Sequence, residues 1–147
     1  MKDVIISIKG IQDTGGDYMM GGDTIELVTG GLYSYNGEES VLSYQESEMT
    51  GMDGTRTTFS IRPDIITLTR EGSINSQMVF QEGKKHIFAY NTEFGTTSMG
   101  VSTHRISEGM DQEGGKVEID YTIDMDSTIV SQNTFIIDVR ISDTPKH

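Results

Sequence analysis

Two arginines occupy positions that an alternating pattern of apolar and polar residues assigns to the apolar face of a strand. Arg70 follows Leu68 at the strand period of two, and Arg105 follows Thr103 in the same way. Because alternate residues of a strand point to one face, both guanidinium groups are predicted to lie on the dry side. A charge there must be paired or bind something, and a guanidinium can hold a carboxylate through two parallel hydrogen bonds. Both arginines are therefore candidate ligand anchors; the alternative is that they pair with acids or reach solvent.

Other side chains in the same predicted phase could line a binding site around these arginines. Polar groups precede Phe135 at the strand period on the last predicted strand. Methionines on an inward face either fill irregular space or line an adaptable pocket, because the thioether is flexible and polarisable. The remaining candidate ligand-binding residues are Thr103, Ser131, Asn133, Met78, Met99 and Tyr121.

The three histidines, His86, His104 and His147, lie at no recognisable catalytic spacing. The sequence contains neither an HExxH pattern for zinc nor a GxSxG nucleophile elbow. An enzyme would need His86 or His104 within hydrogen-bond reach of a carboxylate. A hydrolase is therefore kept as a remote alternative, and a non-catalytic protein is the favoured interpretation.

The run Asp124-Met125-Asp126-Ser127-Thr128 matches the DxDxT pattern of haloacid-dehalogenase-type phosphatases. Such enzymes need an α/β domain after the motif, and only 19 residues follow Thr128. Asp and Ser are also ordinary turn formers, so the run is interpreted as a hairpin turn. A Ca²⁺ ion would need about six or more converging oxygens, and no metal or cofactor is predicted.

The elements that position these residues are predicted to be strands. The chain has 17 Ile, 8 Val and 17 Thr, against 4 Leu and a single alanine, Ala89. Branched side chains suit a pleated strand, whereas Ala and Leu are the residues that helices prefer. An α-helical or α/β fold is therefore excluded in favour of an all-β one.

Turn signals divide the 147 residues into about ten segments. Asn36-Gly37 and Asp53-Gly54 are the strongest, since both central residues of a two-residue hairpin need positive φ. Between turns, Val117 to Met125 alternates between apolar and acidic or polar side chains. A single sheet of this many strands curls, and consecutive hairpins favour an up-and-down barrel over a Greek-key sandwich.

We predict one antiparallel β-barrel domain of about eight to ten strands over residues 1–147. The last segment, 142–147, is predicted to be a flexible tail. Thr14 to Asp23 and Glu108 to Gly115 are predicted to be long loops at the ends of the barrel, because both are rich in glycine.

Charge and composition restrict the partners and the compartment. There are 11 basic against 23 acidic side chains, for a net charge of −12. Binding phosphates requires clustered Lys and Arg, so neither nucleic acid nor an anionic membrane is expected as a partner. No apolar run approaches the length of about 18 residues that a transmembrane helix needs. The absence of cysteine fits a reducing compartment, and a cytoplasmic location is predicted.

Several turn-and-strand blocks resemble the YwiB-like family of uncharacterised bacterial proteins. The blocks are Val4 to Gly10, Ile66 to Gly72, Val79 to Gly83, His86 to Gly95, Met99 to Thr103 and Gly115 to Tyr121. The resemblance extends over nearly the whole chain. It implies a calycin-like or lipocalin-like β-barrel from a Firmicute-type cytoplasm, and it carries neither an activity nor a catalytic residue.

The favoured function is binding of a small apolar or amphipathic molecule inside the barrel. The alternative is a non-catalytic protein-interaction module with a solid core, whose exposed apolar patch would include Met19 and Met20. A hydrolase with a site at the barrel mouth is the third hypothesis. The volume of the interior separates the first two, and it depends on strand number and shear together. Oligomeric state is left open.

Overall fold

The computed structural model describes residues 1–13, 23–46, 53–73, 75–92, 95–125 and 128–142. In this part of the chain the regular structure is all β, which confirms the prediction. The ten strands are β1 (Lys2–Asp13), β2 (Asp23–Tyr35), β3 (Ser40–Gln45), β4 (Thr55–Ile61), β5 (Ile65–Gly72), β6 (Asn75–Gln81), β7 (Lys85–Thr92), β8 (Gly95–Asp111), β9 (Gly114–Met125) and β10 (Thr128–Ile141). Among the described residues, none forms a helix of the length and apolarity that a membrane crossing requires.

The ten strands form one closed antiparallel barrel. Each strand pairs with the next along the chain, and β1 pairs with both β2 and β10. The predicted up-and-down order is therefore confirmed. The first and last strands are joined over ten residue pairs, from Val4 with Ile141 to Asp13 with Gln132. Consecutive hairpins can close in this way because the right-handed twist of each strand pair curls the sheet onto itself.

The turn between β2 and β3 shows how local chemistry fixes a hairpin. Gly37 has a φ of 97°, which a residue with a side chain rarely adopts. The Asn36 side-chain oxygen accepts hydrogen bonds from the backbone N–H groups of Glu38 at 2.9 Å and Glu39 at 2.8 Å. The Asn-Gly signal therefore marks a turn for two separate reasons, which are side-chain capping and left-handed backbone.

The prediction of a long loop over Glu108 to Gly115 is wrong. Strand β8 continues to Asp111 and β9 begins at Gly114, so a tight hairpin joins them. A Cβ atom at Gly115 would lie 2.0 Å from the carbonyl oxygen of Gly109, and the φ of Gly115 is 142°. These glycines allow the backbones of two paired strands to approach closely. Composition alone does not distinguish such a glycine-rich strand pair from a glycine-rich loop.

A β-bulge in β8 reverses the phase that the sequence pattern predicts. The register with β9 shifts between Thr103 and Arg105, so that His104 is an extra residue. Thr103 keeps its inward position, whereas Arg105 lies on the outer surface and Ile106 packs against the core. The prediction of an inward Arg105 is therefore wrong, because strict alternation was extended across a bulge.

The two ends of the barrel differ in how completely they are filled. Near the β2–β3 turn, inward side chains pack into a core in which Tyr33, Phe59 and Phe80 are almost fully buried. Phe59 stacks on Phe135 from the opposite wall, with ring centroids 5.8 Å apart. The Tyr33 hydroxyl donates to the carbonyl of Asp111 at 2.7 Å, which ties β2 to the far hairpin. We call this half the filled end.

At the other end strands β2 and β3 separate. They pair over only four residues on each side, from Leu32 with Ser43 to Tyr35 with Ser40. Ile25 on β2 is in the inward phase but is 58% exposed, and none of the described strands pairs with β2 on the β3 side at this level. We call this half the open end.

Candidate functional site

The open end contains a cavity of about 420 Å³. Small-molecule sites in proteins typically have volumes of about 300–1,000 Å³. Six of the eight candidate ligand-binding residues line this cavity, together with four residues that were not predicted. The lining residues are Gln12, Arg70, Met78, Phe88, Met99, Tyr121, Ile123, Val130, Ser131 and Asn133.

One side of the cavity is lined by apolar side chains, two of which are flexible methionines. Met78 on β6, Phe88 on β7 and Met99 on β8 occupy neighbouring inward positions, and Phe88 is directly paired with Met99. Below them, Phe80 meets the edge of the Tyr121 ring at a centroid distance of 4.8 Å. Thioethers and aromatic rings can adapt to an alkyl chain or a ring without needing hydrogen bonds from it.

The other side of the cavity carries the Arg70 guanidinium. Arg70 lies on β5 between Thr57 of β4 and Ser76 of β6, its two cross-strand neighbours. Its Nε is buried and has no hydrogen-bond partner. Within the described ranges, no carboxylate lies within 4.0 Å of the guanidinium. Buried polar groups are nearly always paired, so this donor is unusual and points toward an acceptor from outside the protein.

The pKa values of two tyrosines at the open end depend on burial and on the charges around them. Burial raises the pKa of Tyr121 to about 12, and the nearby Arg70 cation opposes this shift. Burial also raises the pKa of Tyr44 well above its usual value, with a further increase from the Glu46 carboxylate and an opposing effect of Arg70. Both phenols therefore stay protonated near neutral pH, and Arg70 is close enough to influence both.

The barrel and its cavity occur in a chain with recognisable relatives. A family model described as "Domain of unknown function (DUF1934)" matches residues 6–137. The chain belongs to this family. It is 27% identical over 99 residues to the "Uncharacterized beta-barrel protein YwiB" of Bacillus subtilis strain 168, an alignment that covers 67% of this chain and 68% of the relative.

The fold of this DUF1934 chain is also found in a solved structure. The crystal structure of the ywiB protein from Bacillus subtilis matches with a TM-score of 0.82 and 21% sequence identity, covering 96% of this chain and 92% of that one. The predicted family and the predicted barrel are thus both confirmed. The likeness shows the fold alone, so the function must be argued from the side chains of this chain.

Two of the predicted site residues in the DUF1934 chain lie outside the cavity lining. Thr103 is buried on the inner face, with 2% of its surface exposed, and its Oγ1 has no hydrogen-bond partner. Arg105 lies on the outer face, where its Nε donates to Asp120 at 3.0 Å and its Nη2 to Glu118 at 2.7 Å. Arg105 therefore has two carboxylate partners of its own, and the alternative of pairing with acids describes it correctly.

The histidines form hydrogen bonds but no catalytic pair in the part of the chain that is described. His86 Nε2 lies 3.0 Å from Gln81 Oε1, and His104 Nε2 lies 2.6 Å from Thr122 Oγ1. Neither has a carboxylate partner there, so the geometry that the hydrolase hypothesis requires is not present in this part. No group of three His, Cys, Asp or Glu side chains able to hold a metal occurs among these residues either.

Asp124 and the loop methionines do not add to the cavity. Asp124 pairs with Lys85 at 3.0 Å and is the penultimate residue of β9. The hairpin turn that the sequence predicts at Asp126 and Ser127 lies outside the described residues. Met110 is not in a loop but is buried in the core, because β8 extends through it. Met19 and Met20, which the interaction-module hypothesis invokes, lie outside the described residues.

Sequence reasoning missed four lining residues and the polar group beside Arg70. Phe88 could have been found, since it alternates with His86 and pairs with the Met99 strand. Counting by two from Leu42 would have placed Tyr44 and Glu46 on the inner face. Nothing local to Gln12 or Val130 indicates a role. The place of Gln12 depends on how β1 and β10 pair, and Val130 lies at a register shift between β9 and β10.

Proposed function

We propose that this protein binds a small amphipathic molecule at the open end of its barrel. The apolar part packs against Met78, Phe88 and Met99, and an anionic head group faces Arg70. The observation that supports this proposal is a guanidinium whose buried Nε has no hydrogen-bond partner in the described part of the chain, in a cavity lined mainly by thioethers, aromatic rings and small polar groups. Leaving such a donor unpaired costs about 1–3 kcal/mol, which a bound acceptor recovers.

The charge balance of the chain supports an external partner for Arg70. Acidic side chains outnumber basic ones by 23 to 11, so an arginine has many carboxylates available. Arg62 and Arg105 each have a carboxylate within ion-pairing distance. Arg56, Arg70 and Arg140 have none among the described residues. Of these three, Arg56 and Arg140 are exposed to solvent, whereas Arg70 has a buried donor atom without a partner. A guanidinium with free donors is suited to a carboxylate, which it can bind through two parallel hydrogen bonds.

The test is a binding series with ligands of equal chain length. Decanoate and decanol are titrated into the protein by calorimetry, with native mass spectrometry of the purified protein to detect a bound molecule. We expect decanoate to bind with one-to-one stoichiometry and decanol to bind at least about tenfold more weakly, since it lacks the charge-assisted hydrogen bonds.

The two arginines provide matched variants. Arg70→Gln is expected to weaken decanoate binding by at least about tenfold and to leave decanol unchanged. Arg105→Gln removes the same charge from the outer surface and is expected to leave both affinities unchanged. Absence of binding of either ligand to the wild type, or equal losses in the two variants, would contradict the proposal.

A further inference from the structure

A second unpaired group lies beside Arg70 and has the opposite hydrogen-bonding character. Glu46 follows Tyr44 at the strand period and is buried, with 5% of its surface exposed. Thr57 Oγ1 donates to Glu46 Oε2 at 2.5 Å, and the Tyr44 hydroxyl also interacts with this carboxylate. Glu46 Oε1 is buried and has no hydrogen-bond partner among the described residues. Within the described ranges, no Lys, Arg or His side chain lies within 4.0 Å of this carboxylate.

Thr57 connects the two unpaired groups in space. It is the direct cross-strand neighbour of Arg70 and also the hydrogen-bond donor to Glu46. Directly paired residues have Cβ atoms about 4.5–5.5 Å apart, so the guanidinium and the carboxylate flank one threonine. Each leaves an atom unpaired, and Ser76, the other neighbour of Arg70, adds a buried hydroxyl without a partner.

The opposite end of the barrel shows what a purely structural carboxylate looks like here. Glu39 accepts a hydrogen bond from Ser60 Oγ on the neighbouring strand, which is the same arrangement as Glu46 with Thr57. Its second oxygen, however, lies 3.8 Å from Arg62 Nη2. Both oxygens of Glu39 thus have a partner, whereas Glu46 Oε1 has none in the part of the chain that is described.

We infer that the ligand's polar end carries a hydrogen-bond donor next to its anionic group, with Arg70 binding the anion and Glu46 accepting from the donor. This inference rests on the proposed function. A simple carboxylate supplies acceptors only and would leave Glu46 Oε1 unpaired. A hydroxy acid or an N-acylated amino acid supplies both, so the inferred ligand class is an amphipathic acid with a hydroxyl or amide N–H close to the carboxylate.

The experiment compares three acids on the wild-type protein by calorimetry: decanoate, 3-hydroxydecanoate and 3-methoxydecanoate. The hydroxy acid is expected to bind about tenfold more tightly than decanoate, because a hydrogen bond to a charged acceptor is gained. The methoxy acid keeps the oxygen but lacks the donor, and it is expected to show no gain. This comparison needs no substitution, so it decides the inference even where a variant does not fold.

Two matched variants locate the effect. Glu46→Gln is expected to abolish the preference for the hydroxy acid, since Thr57 retains the amide oxygen and the amide nitrogen then faces the ligand donor. Glu39→Gln is expected to keep the full preference. Equal binding of decanoate and its hydroxy derivative to the wild type, or an undiminished preference in Glu46→Gln, overturns the inference and leaves the proposed function standing. If none of the three acids binds, both are overturned.

Discussion

The two ends of this barrel are built from the same ten strands but differ in how fully their inward side chains are packed and hydrogen-bonded. At the filled end, Phe59 and Tyr33 are almost fully buried, and the Tyr33 hydroxyl has a hydrogen-bond partner. At the open end, three buried side-chain atoms around Arg70 have no partner among the described residues. They are Glu46 Oε1, Arg70 Nε and Ser76 Oγ. Well-packed side chains thus lie at one end and unpaired polar atoms near the cavity at the other, so we expect stability to be concentrated in the filled half.

The largest effect that separates the two ends is expected from truncating their inward side chains. Phe59→Ala removes a fully buried ring that stacks on Phe135, and it is expected to lower the free energy of unfolding by about 3–5 kcal/mol. Met99→Ala removes a partly buried side chain at the cavity wall and is expected to cost only about 1 kcal/mol, because less of its surface is in contact. Urea unfolding measures both values, and equal losses would contradict a division between the ends.

A smaller effect is expected from alkaline pH. Burial raises the pKa of Tyr33 at the filled end and of Tyr121 at the open end, and the Tyr121 contribution is the one that can be tested at the cavity. The folded protein holds the Tyr121 phenol proton up to a pKa of about 12, against about 10 in the unfolded chain. The native state therefore binds more protons between pH 10 and 12, so this contribution to stability is fully present below pH 10 and is lost as the pH rises toward 12.

Tyr121→Phe checks the origin of this alkaline loss. The variant is expected to unfold with a shallower pH dependence above pH 10, by up to about 2 kcal/mol between pH 10 and 12. Tyr35→Phe, which removes the hydroxyl of an exposed tyrosine at the filled end, is the control for the loss of a hydroxyl group. Chemical denaturation at a series of alkaline pH values gives both slopes, and the same slope for Tyr121→Phe and the wild type would remove Tyr121 as the cause.

How much of this contrast the sequence could predict depends on how local its causes are. The strands, the up-and-down order and the inward phase of Arg70, Met78 and Tyr121 follow from alternation and turn residues, which are local properties. The bulge at His104 is not a local property, since it depends on how β8 pairs with β9. Because the sequence pattern does not show the bulge, Arg105 was predicted to lie on the inner face and lies on the outer one. The inward phase of Glu46 could have been found by counting from Leu42, but that its carboxylate is buried and shares Thr57 as a neighbour with Arg70 is known only from the fold.

The smallest predicted effect concerns the stability of the ligand-free protein and compares the two arginines directly. If Arg70 binds a ligand, its guanidinium destabilises the ligand-free protein, because burying a donor without a partner costs free energy. Arg70→Met retains the length of the side chain and removes the unpaired donor, so it is expected to raise the free energy of unfolding by about 1 kcal/mol. Arg105→Met removes two surface ion pairs and is expected to bring no gain. Thermal and urea unfolding of both variants measure the difference. A loss of stability in Arg70→Met would mean that the guanidinium supports the fold itself, and the open end would then be a part of the structural core that merely contains a void.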